Sequence, residues 1–407
     1  MTVPTNPRVL VLLSQMPQDP ASGAARSMMG IAVMLAARGF RVRALGTTVR
    51  ESVRGEPAAR LLEQLGHRPE VERLETGPAR TLLRLNDAGV DCTLLDVGPL
   101  ARHEWEPVWG EAFDRQLLST IEEWKPDVLL TFGGNPSERL RRHLARRAGA
   151  RVVFGLRNMS YMDRRNFTDV DAVLTPSGFV TAAYAKLIGL GSTPIPVPIV
   201  TQDVVAPGRQ PLFVTFVNPC RHKGVNFFAR LAEDLATRRP DLPVLVVDSR
   251  GNAGTLVNAG LRAGFDLRRH ASLFSCGGVP RPREFLAVTR VLLVPSVWYE
   301  AAGRVAAEAL VNGIPPIVSP QGGLPETVGQ GGRVLPIAAD PATLLESVPP
   351  PDDPHVRAWA GEIERLCDDP AYEAEAGRRA RVAAARYEPE TLADRYAAYF
   401  RDVLGRR

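Results

Sequence analysis

Residues 294–309 read Val-Pro-Ser-Val-Trp-Tyr-Glu-Ala-Ala-Gly-Arg-Val-Ala-Ala-Glu-Ala. The apolar run that ends at Val294 predicts a buried strand, and the alanine-rich segment that starts near Ala302 predicts a helix. A strand, a short loop and a helix in this order form half of a β-α-β unit, which packs into a parallel sheet. The loop therefore lies at the carboxyl end of a strand, where α/β proteins bind ligands.

Two glutamates of this segment are separated by seven residues. Glu300 lies at the mouth of the predicted helix and Glu308 two turns further along. The first helix amides, at Gly303, Arg304 and Val305, carry partial positive charge that favours phosphate oxygens. Glycine also allows close approach of a ligand to the backbone. An ionised carboxylate only accepts hydrogen bonds, which suits sugar hydroxyl groups.

The same strand and helix alternation runs through the whole chain and predicts an α/β fold of two Rossmann-like, doubly wound domains. A proline-rich stretch at residues 194–211 interrupts it and predicts the domain boundary. We expect an N-terminal domain at 1–198, a second domain at 199–388, and a C-terminal helix at 389–407 that packs back towards the first domain. The predicted strands are 8–13, 40–45, 90–95, 127–131, 151–156, 172–175, 212–217, 244–247, 271–274, 291–294 and 316–318.

Composition excludes several classes of protein. With 407 residues, 45% of them hydrophobic, the chain is long enough for two cores. No apolar run reaches about 18 residues, and the N-terminus lacks the pattern of a signal peptide. The four cysteines are scattered, which favours reduced thiols over a zinc site or disulfides. We therefore expect a cytoplasmic protein, whose oligomeric state the sequence leaves open.

The net charge of +5 comes mainly from the first half, where residues 1–198 hold 25 basic and 21 acidic side chains. An arginine cluster between residues 139 and 151 has two interpretations. We favour a solvated helix face; the alternative is peripheral contact of the basic N-terminal domain with an anionic membrane or with a phosphorylated acceptor. No aromatic residues are interleaved with the cluster, so a nucleic-acid partner is not expected.

Several motifs together resemble a known family. They are Pro295-Ser296, Glu300-x7-Glu308, Gly313-Ile-Pro-Pro-Ile-Val-Ser319 and Gly322-Gly-Leu-Pro-Glu326, with Lys125-Pro-Asp-Val128 and Ala172-Val-Leu-Thr-Pro-Ser177 in the first half. This set is similar to the group 1 glycosyltransferases, the large retaining glycosyltransferase family 4 with the GT-B fold. The resemblance implies two Rossmann-like domains that face across a cleft, a nucleotide-diphosphate sugar as substrate, and no metal.

The resemblance also implies roles for the residues of the second domain. Glu300 would contact the hydroxyls of the donor sugar, and Glu308 would hold the ribose of the nucleotide. The segment from Gly303 through Arg304 to Val305 would lie along the diphosphate and the ribose. These assignments make Glu300 a catalytic residue and place all five in the donor site.

Lys223 is one of only three lysines in the chain and lies in the segment Phe216-Val-Asn-Pro-Cys-Arg-His-Lys-Gly-Val225. Family members commonly have an arginine at the position of Asn218 and a Lys-Gly pair five residues later. In those proteins both lie near the pyrophosphate. Lys223 matches the lysine, whereas Asn218 stands in place of the arginine. The resemblance thus implies that Lys223 neutralises the leaving phosphate, with Arg221 or Arg304 as helpers and Asn218 as a donor contact.

Two further loops are candidates for donor contacts. Gly278 and Val279 follow a predicted strand, and in the family this loop binds the base through its backbone. Gly23 and Ala24 open the first helix of the chain, where small residues allow backbone amides to reach a phosphate or the transferred sugar. Simple close packing explains the small residues at 23 and 24 equally well.

The predicted strand at 151–156 is followed by Arg157, Asn158 and Tyr161. Some relatives carry a histidine at the position of Arg157, so a histidine-based acid or base role does not transfer to this chain. Arg157 is instead a candidate for stabilising an anionic acceptor or a leaving phosphate. Asn158 and Tyr161 are candidate acceptor contacts.

Other motifs point away from competing functions. Asp169-Val-Asp171 has the Asp-x-Asp form that a different glycosyltransferase fold uses for metal, but a polar turn or helix cap accounts for it better. Glycine fingerprints of dinucleotide-binding and P-loop proteins are absent. Two alternatives remain open, a nucleotide-sugar epimerase on the same fold and a non-catalytic GT-B binding protein. The base, sugar and acceptor are not predicted.

Overall fold

The computed structural model describes residues 4–51, 57–74 and 80–406. The chain divides into two compact units. The first comprises Met1–Pro198 together with Pro389–Arg407, and the second comprises Ile199–Glu388. Each unit is an α/β domain with its own sheet.

Within the described ranges, the sheet of the first unit has nine strands in the order β3-β4-β5-β2-β1-β6-β7-β8-β9. The central strands are short and apolar, which is the pattern of parallel strands buried on both faces. The strands are β1 (Arg8–Leu12), β2 (Arg41–Thr47), β3 (Glu70–Leu74), β4 (Arg80–Asp87), β5 (Val90–Asp96), β6 (Val128–Thr131), β7 (Arg151–Gly155), β8 (Ala172–Thr175) and β9 (Thr193–Pro194).

One edge of this sheet departs from the predicted all-parallel arrangement. β3 pairs antiparallel with β4, and β4 pairs antiparallel with β5. β3 and β4 mix charged and polar residues with apolar ones, so neither strand is a continuous apolar run. The prediction missed both strands because it relied on continuous apolar runs.

The second unit contains a six-stranded sheet, counted over the described residues, in the order β12-β11-β10-β13-β14-β15. All of its pairings are parallel. The doubly wound order places the carboxyl ends of β10 and β13 side by side, so the loops that follow them share one edge. The strands are β10 (Phe213–Val217), β11 (Val244–Val247), β12 (Leu273–Cys276), β13 (Thr289–Val294), β14 (Pro316–Val318) and β15 (Arg333–Val334).

Helices cover the sheets, and several begin at a residue whose side chain caps them. Ser22, Ser177 and Asn252 each accept a hydrogen bond from a first-turn amide. The helices are α1 (Gly23–Ala36), α2 (Ala58–Gln64), α3 (Trp105–Trp124), α4 (Pro136–Arg147), α5 (Gly178–Ile188), α6 (Thr201–Val204), α7 (Val225–Arg238), α8 (Ala253–Arg262), α9 (Arg283–Leu286), α10 (Arg304–Val311), α11 (Leu324–Val328), α12 (Pro354–Asp368), α13 (Pro370–Ala384) and α14 (Pro389–Gly405).

Each unit has a core of large apolar side chains. In the second unit Phe216 stacks on Phe228 with ring centroids 4.2 Å apart, and Phe227 meets Trp359 edge to face at 5.3 Å. These rings join β10, α7 and α12 in one cluster. The core therefore anchors the strand and the helix that flank the loop containing Lys223.

The arginine cluster on α4 is only partly solvated, so the prediction of a solvated helix face is wrong for two of its members. Arg141 and Arg142 are each 1% exposed. Arg141 donates to Asp114 at 2.6 Å, and Arg142 donates to the carbonyl oxygens of Gly133 and Asn166 at 2.7 and 2.9 Å. Paired, hydrogen-bonded arginines are tolerated inside a protein, and these two connect α4 to the rest of the first unit.

In the parts of the chain that the structure describes, no helix combines the length and the apolar character needed to cross a bilayer.

Gly30 shows how tightly α1 packs. A β-carbon added there would lie 2.7 Å from Cγ and 2.9 Å from Cβ of Pro198, a rigid ring that cannot swing away. Gly30→Ala is therefore expected to destabilise the first unit by about 1–3 kcal/mol, because overpacking outweighs the better helix propensity of alanine. At about 2–4 °C per kcal/mol, calorimetry will show a lower melting temperature.

The matched control is Gly191→Ala in the same unit. Gly191 is exposed, and a β-carbon there meets nothing within 4 Å. Its effect is expected to stay within roughly 0.5 kcal/mol. Equal melting temperatures for the two variants would contradict the packing argument.

Candidate active site

The loops after β10, β13 and β14 are joined at the carboxyl edge of the second sheet. The carbonyl oxygen of His222 accepts a hydrogen bond from the amide of Val297 at 2.9 Å. Gly224 has a φ of 85°, and a β-carbon on it would lie 1.9 Å from the carbonyl oxygen of Pro295. Only glycine combines this left-handed conformation with so close a contact, which explains the Lys-Gly pair in physical terms.

The third loop joins through the backbone of Glu300. Glu300 forms a parallel bridge with Gly322, and its carbonyl oxygen accepts from the amide of Gly323 at 2.7 Å. Gly322 has a φ of 65°, and a β-carbon there would lie 2.2 Å from the same carbonyl oxygen. The Gly-Gly pair of the Gly-Gly-Leu-Pro-Glu motif thus fixes where Glu300 lies.

The carboxylate of Glu300 is almost buried and is held by three donors. Its Oε1 accepts hydrogen bonds from Nζ of Lys223, from Oγ of Ser296 at 2.6 Å and from Nε1 of Trp298 at 3.3 Å. The side chain is 8% exposed, against 27% for Lys223. Glu300 and Lys223, separated by 77 residues in sequence, are therefore in direct contact.

Burial and hydrogen bonding act on Glu300 in opposite directions. Burial by itself would raise the pKa of the carboxyl, but the Lys223 ammonium and the hydrogen bonds from Lys223, Ser296 and Trp298 hold the pKa below its ordinary value. Glu300 is thus a carboxylate at neutral pH. It can accept hydrogen bonds from a ligand, but it cannot serve as a proton donor.

Glu308 and Arg304 form a second pair on α10. Glu308 is 2% exposed, and its Oε1 accepts from Nε of Arg304 at 2.9 Å, one helical turn away. The side chain of Arg304 is therefore directed along its own helix. Arg221, the other suggested helper of Lys223, donates to the carbonyl of Leu345 at 2.8 Å and pairs with Glu346 at 2.6 Å. Neither arginine pairs with Glu300.

Gly303 is the N-cap of α10, and the structure explains it differently from the sequence. Its φ is 71°, and a β-carbon would lie 2.2 Å from Cδ2 of Leu324. The backbone conformation and the packing against α11 therefore already require glycine, apart from any room for a ligand. Gly303 has no side chain to cap α10, and the first turn of the helix, which includes Val305, holds no acidic residue. The partial positive charge of this helix start is therefore not offset by a carboxylate of its own first turn.

The side chain of Asn218 connects the loop after β10 to the loop after β11. It adopts a φ of 68°, and its Oδ1 accepts a hydrogen bond from the amide of Gly251 at 2.9 Å. A β-carbon on Gly251 would lie 2.2 Å from the carbonyl oxygen of Pro219, so the two loops touch. The side-chain oxygen of Asn218 is therefore occupied, and its Nδ2 is the atom that remains to meet a ligand.

Gly278 and Val279 follow β12 at the same edge of the sheet. Gly278 is exposed, and a β-carbon on it would lie 3.3 Å from the carbonyl oxygen of Asp248. The carboxylate of Asp248 accepts from the amide of Ala253 at 2.8 Å. This loop thus lies beside the loop that follows β11, at one side of the Lys223 and Glu300 pair.

In the first unit, Gly23 and Ala24 form the start of α1. The N-cap Ser22 accepts from the amide of Ala25 at 3.3 Å, and Gly23 accepts from Oγ of Ser27 at 2.7 Å. Gly23 is exposed, and a β-carbon there meets nothing within 4 Å. Close packing, which was one explanation for the small residue, therefore does not apply to Gly23.

Arg157, Asn158 and Tyr161 lie in the loop after β7, and Tyr184 holds this loop. The hydroxyl of Tyr184 donates to the carbonyl of Asn158 at 3.0 Å and accepts from the amide of Tyr161 at 3.1 Å. The Oδ1 of Asn158 accepts from the amide of Ser160 at 2.9 Å. Arg157, in contrast, is directed towards α14, so the three residues do not form one cluster of side chains.

The two aspartates of the Asp-x-Asp sequence have structural partners. Asp169 contacts Nδ1 of His143 at 3.2 Å, and Asp171 accepts from the amide of Val152 at 2.8 Å. Over the described residues, no group of three or more histidine, cysteine, aspartate or glutamate side chains is arranged to hold a metal ion. The polar-turn interpretation of this segment agrees with these contacts.

The sequence did not predict that Ser296 and Trp298 hold the carboxylate of Glu300. Both precede Glu300 in the loop after β13, and both donate to its Oε1. The Pro-Ser pair was part of the recognised motif, but the spacing alone does not show where the hydroxyl is directed. A serine four residues and a tryptophan two residues before a buried carboxylate are the signal that was available.

Residues 201–382, nearly the whole of the second unit, match the family model of glycosyl transferases group 1. No curated protein matches this chain in sequence. The matched region contains Lys223, Glu300, Gly303 and Glu308.

Solved structures match the chain over almost its full length. Sucrose-phosphate synthase from Thermosynechococcus elongatus is 18% identical, with a TM-score of 0.66 over 98% of this chain and 99% of that one. HepE from Anabaena in complex with UDP and glucose is 15% identical, with a TM-score of 0.65 over 96% and 98%. The catalytic domain of starch synthase IV from Arabidopsis thaliana, bound to ADP and acarbose, is 12% identical, with a TM-score of 0.67 over 99% of this chain and 100% of that one. The chain thus has the GT-B fold, and its second unit is similar to the glycosyl transferases group 1.

Proposed function

We propose that this protein is a retaining, metal-independent glycosyltransferase of family 4. It would move a hexose-like sugar from a nucleotide-diphosphate donor to an acceptor that is not identified. The observation that carries the proposal is the contact between Lys223 and Glu300 beside the start of α10, where the N-cap residue is Gly303. One ammonium, one carboxylate and a helix N-terminus are complementary to a diphosphate joined to a sugar.

The reaction needs stabilisation of the charge that develops on the departing diphosphate. Lys223 supplies a full positive charge, and the amides of Gly303, Arg304 and Val305 supply the partial charge of a helix start. These groups are fixed by the backbone contacts of their loops, so little reorganisation is needed at the transition state. Transfer with retention would follow when the acceptor attacks from the face that the diphosphate leaves.

Glu300 has one oxygen available for the donor sugar. Its three hydrogen bonds all reach Oε1, and none within the described ranges reaches Oε2. Oε2 can therefore accept from a sugar hydroxyl, while Ser296 and Trp298 continue to hold the carboxylate. Lys223 would exchange part of its contact with Glu300 for the donor phosphate, which keeps both charges partnered.

The other candidates complete this arrangement. Glu308 would accept a hydrogen bond from the ribose while it also keeps its contact with Arg304. Asn218 would contact the donor through Nδ2. Gly278 and Val279 would face the base. The relatives were solved with UDP and glucose or with ADP, and we leave the base open.

In the first unit, the amides at Gly23 and Ala24 would contact the phosphate or the transferred sugar, and Asn158 and Tyr161 would contact the acceptor. All four cysteines are free, in keeping with a reaction in the cytoplasm.

Removing either member of the pair tests the proposal. Lys223→Met is expected to lower the rate of donor turnover by at least about 10²-fold, because a charge on the leaving group loses its partner. Glu300→Gln is expected to lower it by roughly 10- to 100-fold, since a charge-assisted hydrogen bond is lost while the shape is kept. Release of nucleoside diphosphate, measured over a panel of nucleotide sugars, reports both.

Two surface residues provide matched controls. Arg221 lies two residues from Lys223 and is 54% exposed, and its partner Glu346 is 79% exposed. Arg221→Met and Glu346→Gln are expected to keep the wild-type rate, because an exposed ion pair contributes little. Near-normal turnover in Lys223→Met and Glu300→Gln, with all four variants folded by calorimetry, would refute the assigned roles.

Metal independence is a separate expectation. Lys223 and the start of α10 supply the positive charge that a divalent cation supplies elsewhere. Turnover is therefore expected to persist at its full rate in excess EDTA. Asp169→Asn is also expected to leave the rate unchanged, because Asp169 contacts His143. A loss of rate in EDTA that magnesium or manganese restores would overturn this part of the proposal.

The stereochemical course tests the retaining mechanism. Proton NMR of the first product formed from a donor with an α-linked sugar is expected to show an α-linkage or, with water as acceptor, the α-anomer before mutarotation. Release of the β-anomer would show inversion. Conversion of the donor sugar without any release of diphosphate would instead indicate an epimerase.

A further inference from the structure

The guanidinium group of Arg157 is buried without a counter-charge. All three of its nitrogens are inaccessible to solvent, and none makes a hydrogen bond of good geometry. Over the described ranges, no carboxylate pairs with it. Burying a charge without an opposite charge beside it is unfavourable, so this arrangement requires an explanation.

The surroundings of Arg157 are aromatic hydroxyls and a thioether. Tyr396 and Tyr399, both on α14, are the titratable groups that act on it, and burial lowers the pKa of the guanidinium despite them. The hydroxyl of Tyr399 is itself buried without a hydrogen-bond partner. A β-carbon on Gly155 would lie 3.6 Å from Nε of Arg157 and 2.6 Å from the sulfur of Met28, so the guanidinium approaches α1.

The exposure of Arg157 is the reverse of the usual pattern. Arginine normally buries its methylene stem and leaves the charged head in water. Here the residue is partly exposed, but its nitrogens are not. For the guanidinium to reach solvent, its side-chain torsions must change from one staggered rotamer to another.

The loop that carries Arg157 does not need to move for this rotation. Tyr184 holds the backbone on both sides of the turn through Asn158 and Tyr161. Arg157 comes two residues after the end of β7, at the carboxyl edge of the first sheet, which is the edge where α/β sheets bind ligands. A loop that is held in place and carries one cation is a suitable arrangement for capturing an anion.

We propose that Arg157 is an anion-binding residue, whose guanidinium leaves Tyr396 and Tyr399 to form a paired contact with a substrate oxyanion. The planar guanidinium matches the spacing of two phosphoryl or carboxylate oxygens. This inference rests on the proposed function and extends it, because it gives the acceptor an anionic group. The diphosphate of the donor is the second source of the same chemistry.

Melting temperatures of the full chain test the proposal without any turnover. In the unliganded protein, Arg157→Met is expected to melt at or above the wild-type temperature, because an unpaired buried charge is replaced by an apolar side chain. Arg142→Met is the matched control, since Arg142 is also buried but donates to two carbonyl oxygens. Its removal leaves those oxygens unsatisfied and is expected to lower the melting temperature.

Inorganic anions then distinguish the two groups that Arg157 could bind, an anionic group of the acceptor and the diphosphate of the donor. Pyrophosphate is expected to raise the wild-type melting temperature through Lys223, and phosphate added at saturating pyrophosphate is expected to raise it further through Arg157, compared with sodium chloride of equal ionic strength. Arg157→Met is expected to lose only the second shift, and Lys223→Met only the first. Arg157→Lys is expected to keep part of the second shift, since it retains the charge without the planar geometry.

Each outcome has a defined meaning. Loss of the pyrophosphate shift in Arg157→Met would support oxyanion binding but assign it to the donor. The proposal is overturned if Arg157→Met retains both shifts, or if it lowers the melting temperature as Arg142→Met does and leaves the shifts unchanged. Neither result depends on sugar transfer, so failure here is distinguishable from failure of the proposed enzymatic function.

Discussion

Lys223 and Glu300 come from loops that follow two neighbouring strands of the second sheet, and their contact depends on how those loops are joined. Parallel pairing of β10 with β13 brings the two strand ends to the same edge. The buried carboxylate would be unfavourable alone, and the ammonium makes it stable as an anion. The remainder of the site, from the start of α10 to the Gly-Gly turn, is built around this one pair of charges.

Left-handed backbone positions make that contact achievable. Gly224, Gly303 and Gly322 all have positive φ, and each lies where a β-carbon would collide with a carbonyl oxygen or a leucine side chain. Asn218 is the non-glycine example, and it closes the loop with a side-chain hydrogen bond. The glycines of the family motifs therefore have a local reason to be glycine. The glycines of these motifs allow three loops to pack together, and that packing determines where the charged groups of Lys223 and Glu300 lie.

The success of sequence reasoning depended on how local each feature is. Ala172–Thr175 and Val244–Val247 were predicted with the observed bounds, because an apolar run between turn residues contains all the necessary information. The burial of Arg141 was not predicted, since its partner Asp114 lies 27 residues away on another helix. The contact of Lys223 with Glu300 had the same difficulty. The motifs indicated which residues matter, but not that they meet in the absence of a donor.

Glu300 and Arg157 represent two different relations between a buried charge and a ligand. Glu300 already has its partners, so under the proposed function a donor would gain at this site only the difference between new and existing contacts. Over the described residues Arg157 has no carboxylate partner to give up, and an anion that reached it would gain a charge-assisted contact while the burial penalty was relieved. The first arrangement would favour precise placement of a donor over tight binding. The second would favour affinity for an anion, at the expense of stability in the empty protein.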